Sequence, residues 1–159
     1  MTVPSRSLHV TTAGHNAVRI MVDLAIHYTE TPVLRQKIAE RQEISPDYIA
    51  HLICRLNKAG LIKSVMGPAG GYALTRQPAQ IQIGEIIRAV EGPVQVSYCI
   101  KPSPTGYCPR IETCTVHMLW MQLAKLIDDF LNGITLQDLC DKSTNIEHIV
   151  ILQPDINCK

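Results

Sequence analysis

Three cysteines and a histidine fall within nineteen residues of this chain: Cys99, Cys108, Cys114 and His117, in CIKPSPTGYCPRIETCTVH. The same stretch holds three prolines and a glycine, which marks it as a loop. Three thiolates and an imidazole form a soft donor set, suited to zinc or to an iron–sulfur cluster. Zinc sites commonly pair their ligands at the short spacing of C-x-x-C. Here eight residues separate Cys99 from Cys108 and five separate Cys108 from Cys114, which modestly favours a larger group. A disulfide would leave one of the three thiols unpaired. A nucleophilic cysteine with His117 as its base is a further alternative, although nothing nearby reads as an oxyanion hole. The plainest alternative is three unliganded thiols in a surface loop.

The elements around this loop are legible from periodicity. Thr11 and Thr12 offer an N-cap to a first helix from about residue 13 to 28, with Ala17, Ile20, Met21, Leu24, Ala25 and Tyr28 at helical spacing. A second helix is expected to start at Pro32, with Leu34, Ile38 and Ala39 facing inward. A third opens at Ser45-Pro46-Asp47, which supplies an N-cap, a proline for the first helical position and an acid for the first turn. Ile49, Leu52, Ile53 and Leu56 give it an apolar stripe, and Gly60 ends it. Only Gln42-Glu43-Ile44 separates helices two and three, the short link of a helix-turn-helix. LIKSV (61–65) and YALT (72–75), joined by MGPAGG, read as a hairpin, and a hairpin in this place is a wing.

A further helix spans about 83–91. Beyond the loop a long helix from about residue 112 carries Leu119, Trp120, Leu123, Leu126, Ile127, Phe130 and Leu131, and ends at Gly133. If it starts there, Cys114 and His117 share a face near its N-terminus, whose positive end would favour anionic sulfur. Thr135 to Asp138 reads as a capping box for one last short helix. The expected fold class is mainly α with a small β-hairpin: a winged helix-turn-helix plus a long dimerisation helix. The expected divisions are a DNA-binding domain at 1–91, a cysteine-rich loop at 92–111, dimerisation and cap helices at 112–142, and an unassigned tail at 143–159.

With 46% apolar and 18% charged residues the chain affords a real core. No apolar run approaches the roughly eighteen residues that span a bilayer. The N-terminal MTVPSRSLHV lacks the apolar stretch of a signal peptide. A soluble, cytoplasmic protein without membrane partners is expected, and in a reducing cytosol clustered cysteines speak for metal or redox chemistry. Net charge is +1, but residues 1–90 carry ten cations against six acids, and residues 91–159 five against eight. A mildly basic front half is compatible with nucleic acid.

Together, TTAGHNAVRIMVDLA, IAERQEISPDYIAHLICRLNKAGLIKSVMGPAGGYAL, IGEIIRAVEGP and the CTVHMLW…FLNGITLQDL region resemble the iron–sulfur regulators of the IscR/NsrR type. The resemblance covers about residues 8 to 140. It implies a homodimeric winged-helix transcription factor, not an enzyme, that binds double-stranded DNA and senses redox, iron or nitric oxide status. It implies that Cys99, Cys108 and Cys114 bind the cluster. His117, three residues after the last cysteine, matches the fourth ligand of IscR-like members and points to 2Fe–2S, with 4Fe–4S the other form in the family. The first spacing, eight residues, is longer than the five of IscR-like loops.

The resemblance also implies a recognition helix beginning at Ser45, with Tyr48, His51 and Arg55 toward the major groove. The wing residues Gly67, Pro68, Gly70 and Gly71 would lie by the backbone or minor groove. Three features depart from the family. Met66 stands where an arginine usually precedes the wing glycine. Ala13, His15 and Asn16 replace a more cationic front motif, and Ala50 replaces an acid in the recognition helix. Fewer phosphate contacts imply weaker binding and a flatter salt dependence. A structural zinc site, or an adaptor that has lost specific DNA binding, are the alternative functions. Of the remaining cysteines, Cys54 is expected to be a small buried hydrophobe and Cys140 to pack, while Cys158 stands near the end of the sequence. Trp120 is expected to anchor the dimer interface.

Overall fold

The computed structural model describes residues 10–28, 32–67, 70–97, 108 and 110–141. Cys99, Pro68 and the tail from residue 142 lie outside them. The order of elements is α1 (Thr12–Ile26), α2 (Arg35–Gln42), α3 (Pro46–Lys58), β1 (Ile62–Val65), β2 (Gly71–Leu74), a single 3₁₀ turn (Pro78–Gln80), α4 (Ile83–Glu91), α5 (Thr115–Asn132) and α6 (Leu136–Cys140).

Helices α1 to α4 share one core. Ile20, Met21, Ile38, Ile49, Leu52, Leu56, Ile81 and Ile86 are all buried within it. Burying each such side chain stabilises the fold by about 2 kcal/mol before entropy is counted. Between α2 and α3 the chain turns at Glu43, whose φ of 54° makes it the one described non-glycine residue in the left-handed region. The turn is braced from behind. Asp23, buried on α1, accepts two hydrogen bonds from Arg41 at 2.8 and 2.6 Å and one from Gln42 at 3.1 Å. Arg19 in turn donates to the Gln42 carbonyl at 2.6 Å. A buried carboxylate is tolerated because a bidentate guanidinium and an amide satisfy it.

Helix α3 follows its sequence signals closely. Ser45 caps it, and its hydroxyl accepts from the Tyr48 N–H. At the far end Gly60, at φ 71°, lets the Leu61 N–H reach the Leu56 carbonyl at 3.0 Å, a Schellman closure between two buried leucines. β1 and β2 pair antiparallel, Ile62 with Leu74 and Val65 with Gly71. With the helix-turn-helix before it, this hairpin completes the expected winged helix.

Five expectations need correction. The first helix ends at Ile26 and not at 28, which leaves Tyr28 exposed beyond it. The second helix starts at Arg35, not Pro32, because Val33 exchanges two 2.9 Å backbone hydrogen bonds with Tyr72 and stays extended beside the wing. Leu34 is then its exposed N-cap and not an inward residue. Cys54 is exposed. Ile49, Leu52, Ile53 and Leu56 take up the buried face of α3, and Cys54 stands about 100° around the helix from Ile53. The long helix begins at Thr115 and not near 112, since residues 110–113 form turns, with Ile111 N–H on the Cys108 carbonyl and Thr113 N–H on that of Arg110.

Helix α5 is stitched to the rest at its C-terminal end. Arg88 of α4 donates to Asp128 at 2.6 Å and to Asn132 at 2.8 Å, and Asn132 donates back to Asp128. Gly84 makes room for this, because a Cβ there would run into the Asn132 amide. Backbone bonds from Ile83 to Ile134 and from Leu136 to Ile81 then seat the Thr135–Asp138 capping box and bury Leu136. Along the rest of α5 only Ala124 is buried, while Val116, Met118, Leu119, Met121, Leu126 and Phe130 are exposed.

Candidate nucleic-acid interface and metal centre

The exposed face of α3 is built by what its other face must do. Asp47, His51, Cys54 and Lys58 recur at i, i+4, i+7 and i+11 and are all exposed. Of the residues expected to face DNA, Ser45 and His51 stand on the open surface, and Tyr48 is half-buried against the core. Arg55 is exposed, but its guanidinium is tied back and donates to the Val90 carbonyl at the end of α4, at 2.6 Å. Cys54 is the member of this face that the sequence reading missed. Its spacing from Asp47 and His51 carried the signal, and the general preference of cysteine for cores masked it.

The wing tip is tight. Gly67 sits at φ 121°, and the Gly70 N–H closes on its carbonyl at 2.9 Å. A Cβ on Gly70 would meet the carbonyls of Val65 and Gly67, and one on Gly71 the Val33 carbonyl. These glycines are therefore required by the backbone. Met66, beside them, is 92% exposed.

The C-terminal end of α4 is a junction. Val90 receives Arg55 from α3. Next to it, Glu91 accepts from the Thr11 N–H at 3.1 Å and the Thr11 hydroxyl at 2.8 Å, which secures the start of α1. Gly92, at φ 86°, then turns the chain into the cysteine loop.

On the far side of that loop, Cys114 is the N-cap of α5, with a side chain that makes no capping hydrogen bond. Cys108 and Cys114 are half-buried free thiols. One turn into the helix, the His117 N–H donates to the Cys114 carbonyl at 3.1 Å. Its ring is half-buried, and Nδ1 is enclosed without a hydrogen-bond partner among the described residues. A buried ring nitrogen left without a partner costs on the order of 1–3 kcal/mol, so it is a position where a ligand fits. The N-terminus of an eighteen-residue helix adds orphan N–H groups that favour an anionic group. Among the described residues no three His, Cys, Asp or Glu side chains converge as a metal set, and Cys99 lies outside them. Cys140 stands apart at the end of α6, packed against the core, where burial first and Asp141 second push its thiol pKa up.

No described helix is long and apolar enough to cross a membrane. Comparison with known proteins agrees with this architecture. Residues 10–142 match the family model Rrf2, an iron-dependent transcriptional regulator. The chain is similar to the HTH-type transcriptional regulator IscR of Vibrio vulnificus, 41% identical over 140 residues that cover 88% of this chain and 82% of that one. Among solved structures it is similar to T. potens IscR, with 40% identity, a TM-score of 0.67 and coverage of 84% of this chain and 86% of the other. It is also similar to CymR, the global cysteine regulator of B. subtilis, at 32% identity and a TM-score of 0.67, over 84% of this chain and 97% of that one. The chain belongs to the Rrf2 family of transcriptional regulators.

Proposed function

We propose that this regulator is a cytoplasmic homodimer whose grip on DNA depends on an iron–sulfur cluster held by Cys99, Cys108 and Cys114, with His117 as the fourth ligand. The observation that carries this reading is the enclosed His117 Nδ1, without a partner among the described residues, one helical turn from Cys114, the N-cap of α5. A 2Fe–2S cluster suits a set of three thiolates and one imidazole. Bound there, it would supply sensitivity to redox state, iron supply or nitric oxide.

The protein's own residues do the rest. Residues 1–91 form the DNA-binding part, 92–111 the ligand loop, and 112–142 the part that meets the partner. Val116, Leu119 and Phe130, exposed on α5, suit a second copy of the same helix. Ser45, Tyr48 and His51 present α3 to the major groove, and Gly67 to Gly71 bring the wing backbone close to the phosphates. Ordering of residues 92–117 draws the end of α4 toward the head of α5, and so resets the spacing of the two recognition helices. Half-sites about one helical turn, roughly 34 Å, apart are then favoured or rejected.

Anaerobic purification, with a visible spectrum and iron and sulfide counts, tests this reading. A coloured protein with about two irons per chain, whose spectrum changes in His117→Ala, is the expected result. A colourless protein holding stoichiometric zinc would overturn it. About four irons indifferent to His117 would exclude the histidine and require another ligand.

A further inference from the structure

Met66 is the most exposed large apolar residue among those described, at 92%. It is the first residue past the last paired position of the wing, where Val65 faces Gly71. At the turn that presents it, the Gly70 N–H bonds to the Gly67 carbonyl at 2.9 Å, and a Cβ on Gly70 or Gly71 would meet the carbonyls of Val65, Gly67 or Val33. No charged residue occurs between Lys63 and Arg76. This tip therefore has no cation to offer a phosphate or a narrow groove. A thioether is a weak acceptor and reads base edges poorly. It can enter a minor groove as an apolar wedge, where unstacking a base step is easiest at pyrimidine–purine steps such as TA and CA.

We propose that Met66 is a minor-groove wedge, and that this regulator selects operators carrying a flexible pyrimidine–purine step where the wing lands. This rests on the reading that the chain binds DNA as a winged helix. Part of the specificity then comes from the deformability of a step and not from a hydrogen bond. Because the wedge neutralises no phosphate, it adds nothing to the salt dependence of binding.

The test begins with sites selected from random duplexes by the full-length wild-type protein. The affinity of wild type, Met66→Ala and Met66→Arg is then measured across salt for a selected site and for a copy whose flanking TA or CA step is changed to AA. 2-Aminopurine beside the step reports unstacking. Met66 is exposed, so the variants should fold, and circular dichroism checks this. Wild type should lose about tenfold on the AA copy, in the range of a single unfavourable base pair. Met66→Ala should bind both copies equally at the weaker level, with an unchanged salt slope and no 2-aminopurine signal. Met66→Arg should steepen the slope by about one ion. If wild type and Met66→Ala discriminate the two copies alike, the wedge is overturned while DNA binding stands. If no sequence is enriched and no duplex is bound, the DNA-binding reading fails and the wedge with it.

Discussion

The cysteines show how strongly environment separates residues of one type. Cys54 is exposed on α3, whereas Cys140 is packed against the core and its thiol is pushed up by burial and by Asp141. Alkylation depends on access and on the thiolate fraction. Iodoacetamide at neutral pH, followed by peptide mass mapping, should therefore label Cys54 at least several-fold faster than Cys140. The difference should narrow as pH rises, because the raised pKa of Cys140 withholds thiolate until then. Equal rates at pH 7 would mean that the end of α6 opens freely. The burial of Cys140 was legible in the sequence, since it ends an apolar-patterned helix. The exposure of Cys54 was legible only by following Asp47 and His51 around the same face.

At the scale of elements, α3 and α4 were the most legible parts. The cap, apolar stripe and terminal glycine of α3 all point one way, and α4 spans Ile83–Glu91, the bounds expected from the sequence. What the sequence could not show were the ties between elements distant in the chain. Arg55 and Val90 are 35 residues apart, and Arg88 and Asn132 are 44 apart. Neither pair has a local pattern to announce it. The α4–α5 contact depends on Gly84, and Gly84→Ala should drive the Asn132 amide off Arg88. The expected cost is about 1 kcal/mol, because the lost hydrogen bonds are partly offset by the better helix propensity of alanine. Most of it should vanish when the same change is made in an Asn132→Ala background, and a double-mutant cycle in urea measures this. Additive costs would show that the clash is absorbed elsewhere.

For the whole molecule, the basic front half and acidic rear half were read directly from composition, as was the lack of a membrane-spanning run. The winged fold followed from the order of its signals. The least legible feature was the state of α5. Its stripe suited core or interface equally well, and in the structure only Ala124 is buried. If the proposed second copy covers this exposed helix, folding should be linked to association. The thermal midpoint should rise as protein concentration rises from the low micromolar range to about a hundred micromolar, and Leu119→Glu should abolish that rise. Calorimetry with sedimentation in parallel would reveal it. A concentration-independent midpoint for a sedimenting monomer would leave α5 without the proposed role.

The junction at the end of α4 bears on how large a response this protein can give. Val90 and Glu91 hold α3 and α1 through three hydrogen bonds, and the chain enters the cysteine loop at the next residue. A net hydrogen bond is worth about 1 kcal/mol, and 1.4 kcal/mol is about a tenfold change in affinity. Under the proposed coupling, making or breaking one such tie would change the affinity for DNA by about fivefold, and losing all three would loosen the fold itself. A coupling of that size would give a graded response in place of an on-off switch.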